Sequence, residues 1–251
     1  ARLAAELPFI EQLLQTTPHP DGSPAHVLDA ATGTGMHALA LIRQGFTAAA
    51  ADLSPAMVAR ARQNTLAAGL PLRLATAGFG MLADAFGIDP AQPGSAPFDA
   101  VLCLGNSLPH VSDVTGLART LADFAACLRM GGLLLLQNRN FDAVLAARQR
   151  WMEPQAHREA DREWLFLRFY DFEADGLITF NILSLRREGE DPWTQQVHTT
   201  RLRPLLQAEL LAALEAVGFE GVATFGSLSG EPFDPVSSGN LVIKAWNGIS
   251  S

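Results

Sequence analysis

The chain has 251 residues, 48% of them hydrophobic and 18% charged, with a net charge of −8. That composition excludes a disordered chain, and the acidic balance argues against a nucleic-acid partner, whose phosphates it would repel. No apolar run approaches the roughly 20 residues that cross a bilayer, so no membrane partner is expected. Cys103 and Cys127 lie in apolar company, outside any metal-ligand or disulfide-framework spacing, which predicts a reduced, cytoplasmic protein without a metal site.

The opening segment ARLAAELPFIEQLLQ reads as an amphipathic helix, and its Glu6 and Glu11 are incompatible with a signal peptide. It begins without Met, which leaves room for a preceding segment. Short apolar runs then alternate with helical patterns. Strands are predicted at residues 26–30, 47–52, 72–75, 98–104 and 132–137, and helices at 35–44, 55–68 and 113–129. The helix SPAMVARARQNTLAAG carries a Ser cap, Pro at its first position and Gly at its end. Alternating strands and helices predict an α/β fold with a parallel sheet covered on both faces, which explains why the strands lack polar alternation. The Pro/Gly-rich stretch 87–97 reads as a surface loop.

Beyond about residue 150 the pattern changes to antiparallel strands with turns near ADG and EGEDP, then a helix ended by Gly218, then a closing strand NLVIKAW. The chain therefore reads as one domain over residues 1–251, with a cofactor-binding core at 26–142 and an antiparallel β insertion at 151–205 that caps the substrate side.

The stretch VLDAATGTGMHAL places a strand, two glycines and a helix in succession. Gly33 and Gly35 permit positive φ and close approach of a ligand to the backbone, and the helix start offers unpaired N–H groups. Asp52 ends the following strand, where a carboxylate can accept hydrogen bonds from both hydroxyls of a ribose. Together these predict a nucleoside-containing cofactor. The residues alone leave two open, a nicotinamide dinucleotide and S-adenosylmethionine, because Gly33-x-Gly35-x-x-Ala38 also fits the dinucleotide fingerprint.

The succession VLDAATGTGMHALAL, ADLSPAMVARAR, FDAVLCLGNSLPHV and LRMGGLLLLQNRNFD resembles the ordered motifs of class I S-adenosylmethionine-dependent methyltransferases. FDAVLCLGNSLPH, NRNFD and the C-terminal FGSLSGEPFDPVSSGNLVIKAW are most similar to glycine and sarcosine N-methyltransferases and their bacterial relatives. The resemblance implies a Rossmann-like, mostly parallel seven-stranded sheet with helices on both faces and an antiparallel β appendage over the site. It implies S-adenosyl-L-methionine as cofactor and S-adenosyl-L-homocysteine as product. Asp29 matches the acidic residue that ends the first strand. Gly33 and Gly35 would pass under the methionine part, Asp52 would hold the ribose, Leu53 and Met57 would line the adenine, Gly78 and Phe79 would meet its edge, and the Leu104 carbonyl would face the ammonium group. Ala77-Gly78-Phe79 stands where many relatives carry an acidic residue, His37 reads as a polar residue of the first helical turn, and the Arg-bearing N-terminal segment of glycine methyltransferases is not recognisable.

Methyl transfer needs alignment and exclusion of water and no enzyme nucleophile. Asn106, Ser107 and His110 follow the fourth strand, at the sheet edge where ligands of open α/β sheets bind. Asn106 is a candidate substrate contact, and His110 either accepts a proton or caps the next helix. Arg139 in NRNFD matches the arginine that grips the substrate carboxylate; its alternative is a salt bridge to Asp142. Trp151, Trp164, Phe169 and Trp193 are pocket walls or ordinary core, and Tyr170, the single tyrosine, is a candidate pocket hydroxyl. The expected partner is a small-molecule methyl acceptor, most simply a carboxylate-bearing amine, with room for a homo-oligomer. Competing readings are a small-molecule O-methyltransferase, a non-catalytic cofactor-binding protein and an NAD-dependent oxidoreductase.

Overall fold

A computed structural model describes residues 2–17, 19–89 and 97–248. The predicted loop at 87–97 falls mostly outside them. The elements in chain order are α1 (Arg2–Gln15), β1 (His26–Asp29), α2 (Met36–Arg43), β2 (Thr47–Asp52), α3 (Pro55–Ala68), β3 (Arg73–Thr76), α4 (Leu82–Ala85), β4 (Phe98–Cys103), α5 (Val114–Cys127), β5 (Leu128–Arg139) and α6 (Phe141–Ala146). Then come β6 (Gln155–Glu159), β7 (Arg162–Phe172), β8 (Ile178–Glu188), β9 (Thr194–Leu202), α7 (Gln207–Val217), β10 (Phe219–Phe225) and β11 (Asn240–Asn247).

Seven strands form one sheet in the order β10-β11-β5-β4-β1-β2-β3. The five from β5 to β3 pair in parallel, and β11 is antiparallel to both β5 and β10. Order reverses between β1 and β4, so their carboxyl ends diverge into a crevice, the usual ligand position in such sheets. β4 is buried along its whole length, as expected of a strand covered on both faces. The alanine run of β2 has little β propensity of its own and is held by its neighbours β1 and β3.

Two apolar cores sandwich the sheet. One gathers Leu117, Leu121 and Phe124 of α5 with Leu210 and Leu214 of α7; the other gathers Ile10 and Leu14 of α1 with Leu41 of α2. Helix α3 has the expected ends: the Ser54 hydroxyl accepts from Met57 N, Pro55 opens the helix, and Gly69 closes it at φ 63°. Both cysteines are buried and unpaired, and burial pushes both thiols up, away from the reactive thiolate form. No described helix is long and apolar enough to cross a membrane.

A separate sheet, β6-β7-β8-β9, is wholly antiparallel. It joins the main body through α6, where Phe141 and Val144 pack with Tyr170, Ile178 and Leu202. Two elements depart from expectation. The strand predicted at 132–137 runs from Leu128 to Arg139, because β11 pairs with it as far as Asn240↔Arg139; Arg139 is therefore the last residue of a paired strand. Strand β10 was hidden in the sequence because its pairing shifts between Glu220 and Ala223, around Gly221 at φ 59°.

The buried carboxylate of Asp123 accepts from Leu82 N at 2.8 Å and Ala83 N at 2.9 Å, fixing the short helix that follows the 77–79 loop. Replacing Asp123 with Ala strands two buried N–H groups and is expected to cost about 2–4 kcal/mol in chemical denaturation. A loss below about 1 kcal/mol would show that water takes over both bonds.

Candidate active site

Three loops meet at the carboxyl edge. After β1 the chain turns through Gly33 at φ 55° and Gly35 at φ 83°. A Cβ on Gly33 would stand in open space, so its constraint is backbone conformation and room for a ligand, whereas a Cβ on Gly35 would meet Ala61 of α3 at 3.3 Å. The buried Asp29 carboxyl accepts from the Thr32 hydroxyl at 2.8 Å and thereby braces this turn from beneath. Burial raises its pKa.

After β2 the Asp52 carboxylate accepts from Gly33 N with Oδ2 and from Ser54 N with Oδ1, each at 2.8 Å. A carboxylate offers about four acceptor positions, so two remain for a ligand. After β4, Gly105 and Asn106 both adopt left-handed backbone, at φ 74° and 66°. Asn tolerates that conformation better than other side chains. Asn106 N donates to Gln137 O at 3.0 Å, and Asn106 Oδ1 accepts from Arg139 N at 2.8 Å. The side-chain oxygen of Asn106 is thus committed to positioning Arg139, leaving its Nδ2 for a ligand.

These loops border two cavities. The first, of about 720 Å³, is lined by Asp52, Leu53, Gly78, Phe79 and His110 among others. Leu53 is 75% exposed and Met57 44%, an unusual amount of apolar side chain left in water beside a cavity. Phe79 is fixed edge-on against Phe124, with ring centroids 5.6 Å apart. The second, of about 940 Å³, lies between the sheet edge and the antiparallel sheet; its lining includes Asn106, His110, Gln137, Arg139, Trp151 and Tyr170. His110 borders both. Asp29, Gly33, Gly35, Met57 and Leu104 line neither; the Leu104 carbonyl accepts from the Ser107 hydroxyl at 3.0 Å, leaving one lone pair.

Each alternative weighed for the substrate-side residues meets a specific contact. Asp142 accepts from Gln207 N and does not pair with Arg139. Among the described residues Arg139 makes no salt bridge, and its buried Nε has no hydrogen-bond partner. The helix-capping role considered for His110 belongs to Asp113, which accepts from Gly116 N. Partial desolvation lowers the His110 pKa from its ordinary value and favours the neutral imidazole at pH 7, although the residue keeps substantial solvent exposure. Trp164 and Trp193 lie outside both linings; Trp193 stacks under Arg187.

Sequence reasoning missed a chain of contacts from the first helix. His37 Nε2 meets Glu6 Oε2 at 3.0 Å, Arg2 Nε donates to Glu6 Oε1 at 2.8 Å, and Arg2 also reaches Gln137 Oε1 at 3.3 Å. These bonds seat α1 over the second cavity. Arg2 and Gln137 are far apart in the chain, so spacing gave no signal.

A "Methyltransferase domain" family model matches residues 27–132. The chain is 31% identical over 204 residues to a glycine/sarcosine N-methyltransferase of Aphanothece halophytica, an alignment covering 80% of this chain and 68% of that protein. It is 38% identical over 145 residues to a glycine/sarcosine N-methyltransferase of Parasynechococcus marenigrum (strain WH8102), covering 58% and 47%. Among solved structures, a S-adenosylmethionine-dependent methyltransferase from Clostridium acetobutylicum superposes with a TM-score of 0.77 at 17% identity, over 99% of this chain and 93% of that one. Streptomyces venezuelae DesVI superposes at 0.71 with 22% identity, over 96% and 91%. Both structural likenesses are of fold.

Replacing Asn106 with Ala removes the acceptor for Arg139 N and a side chain suited to left-handed backbone. A loss of about 1–3 kcal/mol in thermal or chemical unfolding is expected. An unchanged midpoint would contradict the positioning role.

Proposed function

The chain belongs to the class I S-adenosylmethionine-dependent methyltransferases, and we propose that it methylates the amine of a small carboxylate-bearing substrate, with glycine and sarcosine as the simplest cases. The observation that carries this reading is the unpaired Arg139 guanidinium in a cavity that shares His110 with the cavity holding Asp52. The relatives named for glycine and sarcosine support it.

On this reading residues 26–142 form the cofactor-binding core and residues 151–205 the cap. The open backbone at Gly33, the two free acceptor positions of Asp52 and the exposed apolar Leu53 and Met57 fit a ligand that is part ribose and part flat aromatic base. Asp52 would bind the ribose hydroxyls. Leu53, Met57, Gly78 and Phe79 would enclose the adenine. Gly33 and Gly35 would let the backbone approach the methionine part, and the second lone pair of the Leu104 carbonyl would take its ammonium group. S-adenosylmethionine supplies an activated methyl group, which the amine lone pair takes as the C–S bond breaks, releasing S-adenosylhomocysteine and an N–H proton.

Arg139 suits the substrate carboxylate because its planar fork matches both oxygens. Asn106 holds the Arg139 backbone and can offer Nδ2 to the acceptor. His110, neutral and bordering both cavities, is placed to receive the amine proton. Leu167 and Phe180 of the antiparallel sheet, with Trp151 beside it, line the far side with apolar surface and would reduce hydration of the amine.

Asp52→Ala is expected to weaken S-adenosylhomocysteine binding in calorimetry by about 100-fold or more, the loss of two charge-assisted hydrogen bonds. An unchanged dissociation constant would remove Asp52 from the site. Arg139→Ala is expected to raise KM for glycine by roughly 10–100-fold, and an unaltered KM would overturn the carboxylate assignment. With saturating amine, the acid limb of kcat should lie below the ordinary histidine value of 6.5 and vanish in His110→Gln; a limb that persists would exclude His110 as proton acceptor.

A further inference from the structure

The second cavity holds more positive charge than a single carboxylate requires. Three arginines line it: Arg2, Arg139 and Arg168. Arg2 is neutralised by Glu6, which also takes His37. Arg168 lies in mid-strand on β7, and its Nε, like that of Arg139, is buried without a hydrogen-bond partner. Among the described residues neither guanidinium has a carboxylate in salt-bridge range; the other arginines without one are all exposed to solvent, whereas these two are half-buried on a cavity. The other carboxylate on the lining, Glu153, is exposed to solvent.

Two half-buried, unpaired guanidiniums lining one cavity, one from each sheet, repel each other and lose hydration, and in an acidic chain a neutralising Asp or Glu would be an easy remedy. Both act on the same neighbour: they oppose the burial that pushes the Tyr170 hydroxyl up to about 12. Tyr170 therefore stays a neutral O–H donor and adds no counter-charge. Arg2 is further engaged by Gln137, whose Oε1 also accepts from Gly105 N at 3.1 Å, next in the chain to the Leu104 carbonyl proposed for the cofactor's ammonium group. That leaves Arg139 and Arg168 for the acceptor.

We infer that the acceptor carries two anionic groups beside its amine, one for Arg139 and one for Arg168, as in an amino dicarboxylate or an amino acid bearing a phosphate. This rests on the reading of the second cavity as the acceptor site. The cavity, about 940 Å³ and open to solvent on one side, has room for an acceptor larger than glycine. The guanidinium fork binds carboxylate and phosphate alike, so the two sources must be separated by experiment.

The test uses the whole chain saturated with S-adenosylhomocysteine for calorimetric binding, and S-adenosylmethionine for turnover read as S-adenosylhomocysteine formed. Glycine and sarcosine supply one anionic group, aspartate and glutamate a second carboxylate, and O-phosphoserine a phosphate. The expected result is binding and kcat/KM for at least one doubly anionic amine about 10-fold or more above glycine, with the better arm naming the second group. Arg168→Gln should abolish that preference and Arg168→Lys should restore part of it, with circular dichroism confirming that both variants are folded. Preference for glycine or sarcosine over every doubly anionic amine would overturn the inference and leave the proposed N-methylation intact. So would an Arg168→Gln variant that loses glycine affinity as much as aspartate affinity, since both arginines would then hold one carboxylate. Methylation of neutral hydroxyl compounds alone, with none of the amines, would overturn the N-methyltransferase reading as well.

Discussion

The carboxylate of Asp52 ties the carboxyl edge together. Its two oxygens accept from Gly33 N and Ser54 N, so one side chain at the end of β2 fixes both the glycine turn after β1 and the start of α3. Those backbone groups would otherwise face solvent without defined direction, and the turn contains two residues at positive φ that gain nothing from regular pairing. The buried Asp29 supports the same turn through Thr32, and Asn64 of α3 donates to Thr34 O at 2.9 Å. The first cavity owes its shape to this cluster of short polar bonds on a rigid parallel sheet. The apolar side chain of Leu53 completes its lining.

The second cavity is built on a different principle. Its floor is the edge of the main sheet, its far wall is the antiparallel sheet, and α1 is seated over it by the Glu6–His37 and Arg2–Gln137 contacts. In a chain of net charge −8, two half-buried arginines face this cavity without a carboxylate partner, whereas the other arginines without one are exposed. Concentrated positive charge inside a concave, low-dielectric surface attracts anions more strongly than the same charge spread over the exterior. Methyl transfer from a sulfonium asks the protein for positioning above all, and on the proposed reading charged side chains held by packed strands would supply it.

Much of the cofactor half was legible in the chain because its determinants are local. Gly33, Gly35 and Asp52 lie within one strand-turn-helix-strand unit, and the Ser54, Pro55 and Gly69 signals of α3 act within a helical turn. The substrate half was less legible because its determinants are distant in sequence. Arg168 sits in a strand of mixed aromatic and charged residues, where nothing marks it as facing a cavity, and the first helix shows only amphipathic spacing. Asn106 stands out in the sequence as a candidate, but its main bond does not: a backbone partner 33 residues away cannot be read from a loop. Strand β10 escaped because the irregularity at Gly221 breaks the period that would reveal it.

The central claim is that the two cavities form one site, with the cofactor's nucleoside held at Asp52 and the acceptor's anionic group at Arg139. A crystal structure of the ternary complex with S-adenosylhomocysteine and a bound amino acid tests it most directly. The account predicts ribose hydroxyls on Asp52, the amino acid's carboxylate on Arg139 and its nitrogen beside His110, facing the sulfur. An amino acid bound away from Arg139, or a ribose that leaves Asp52 free, would contradict it.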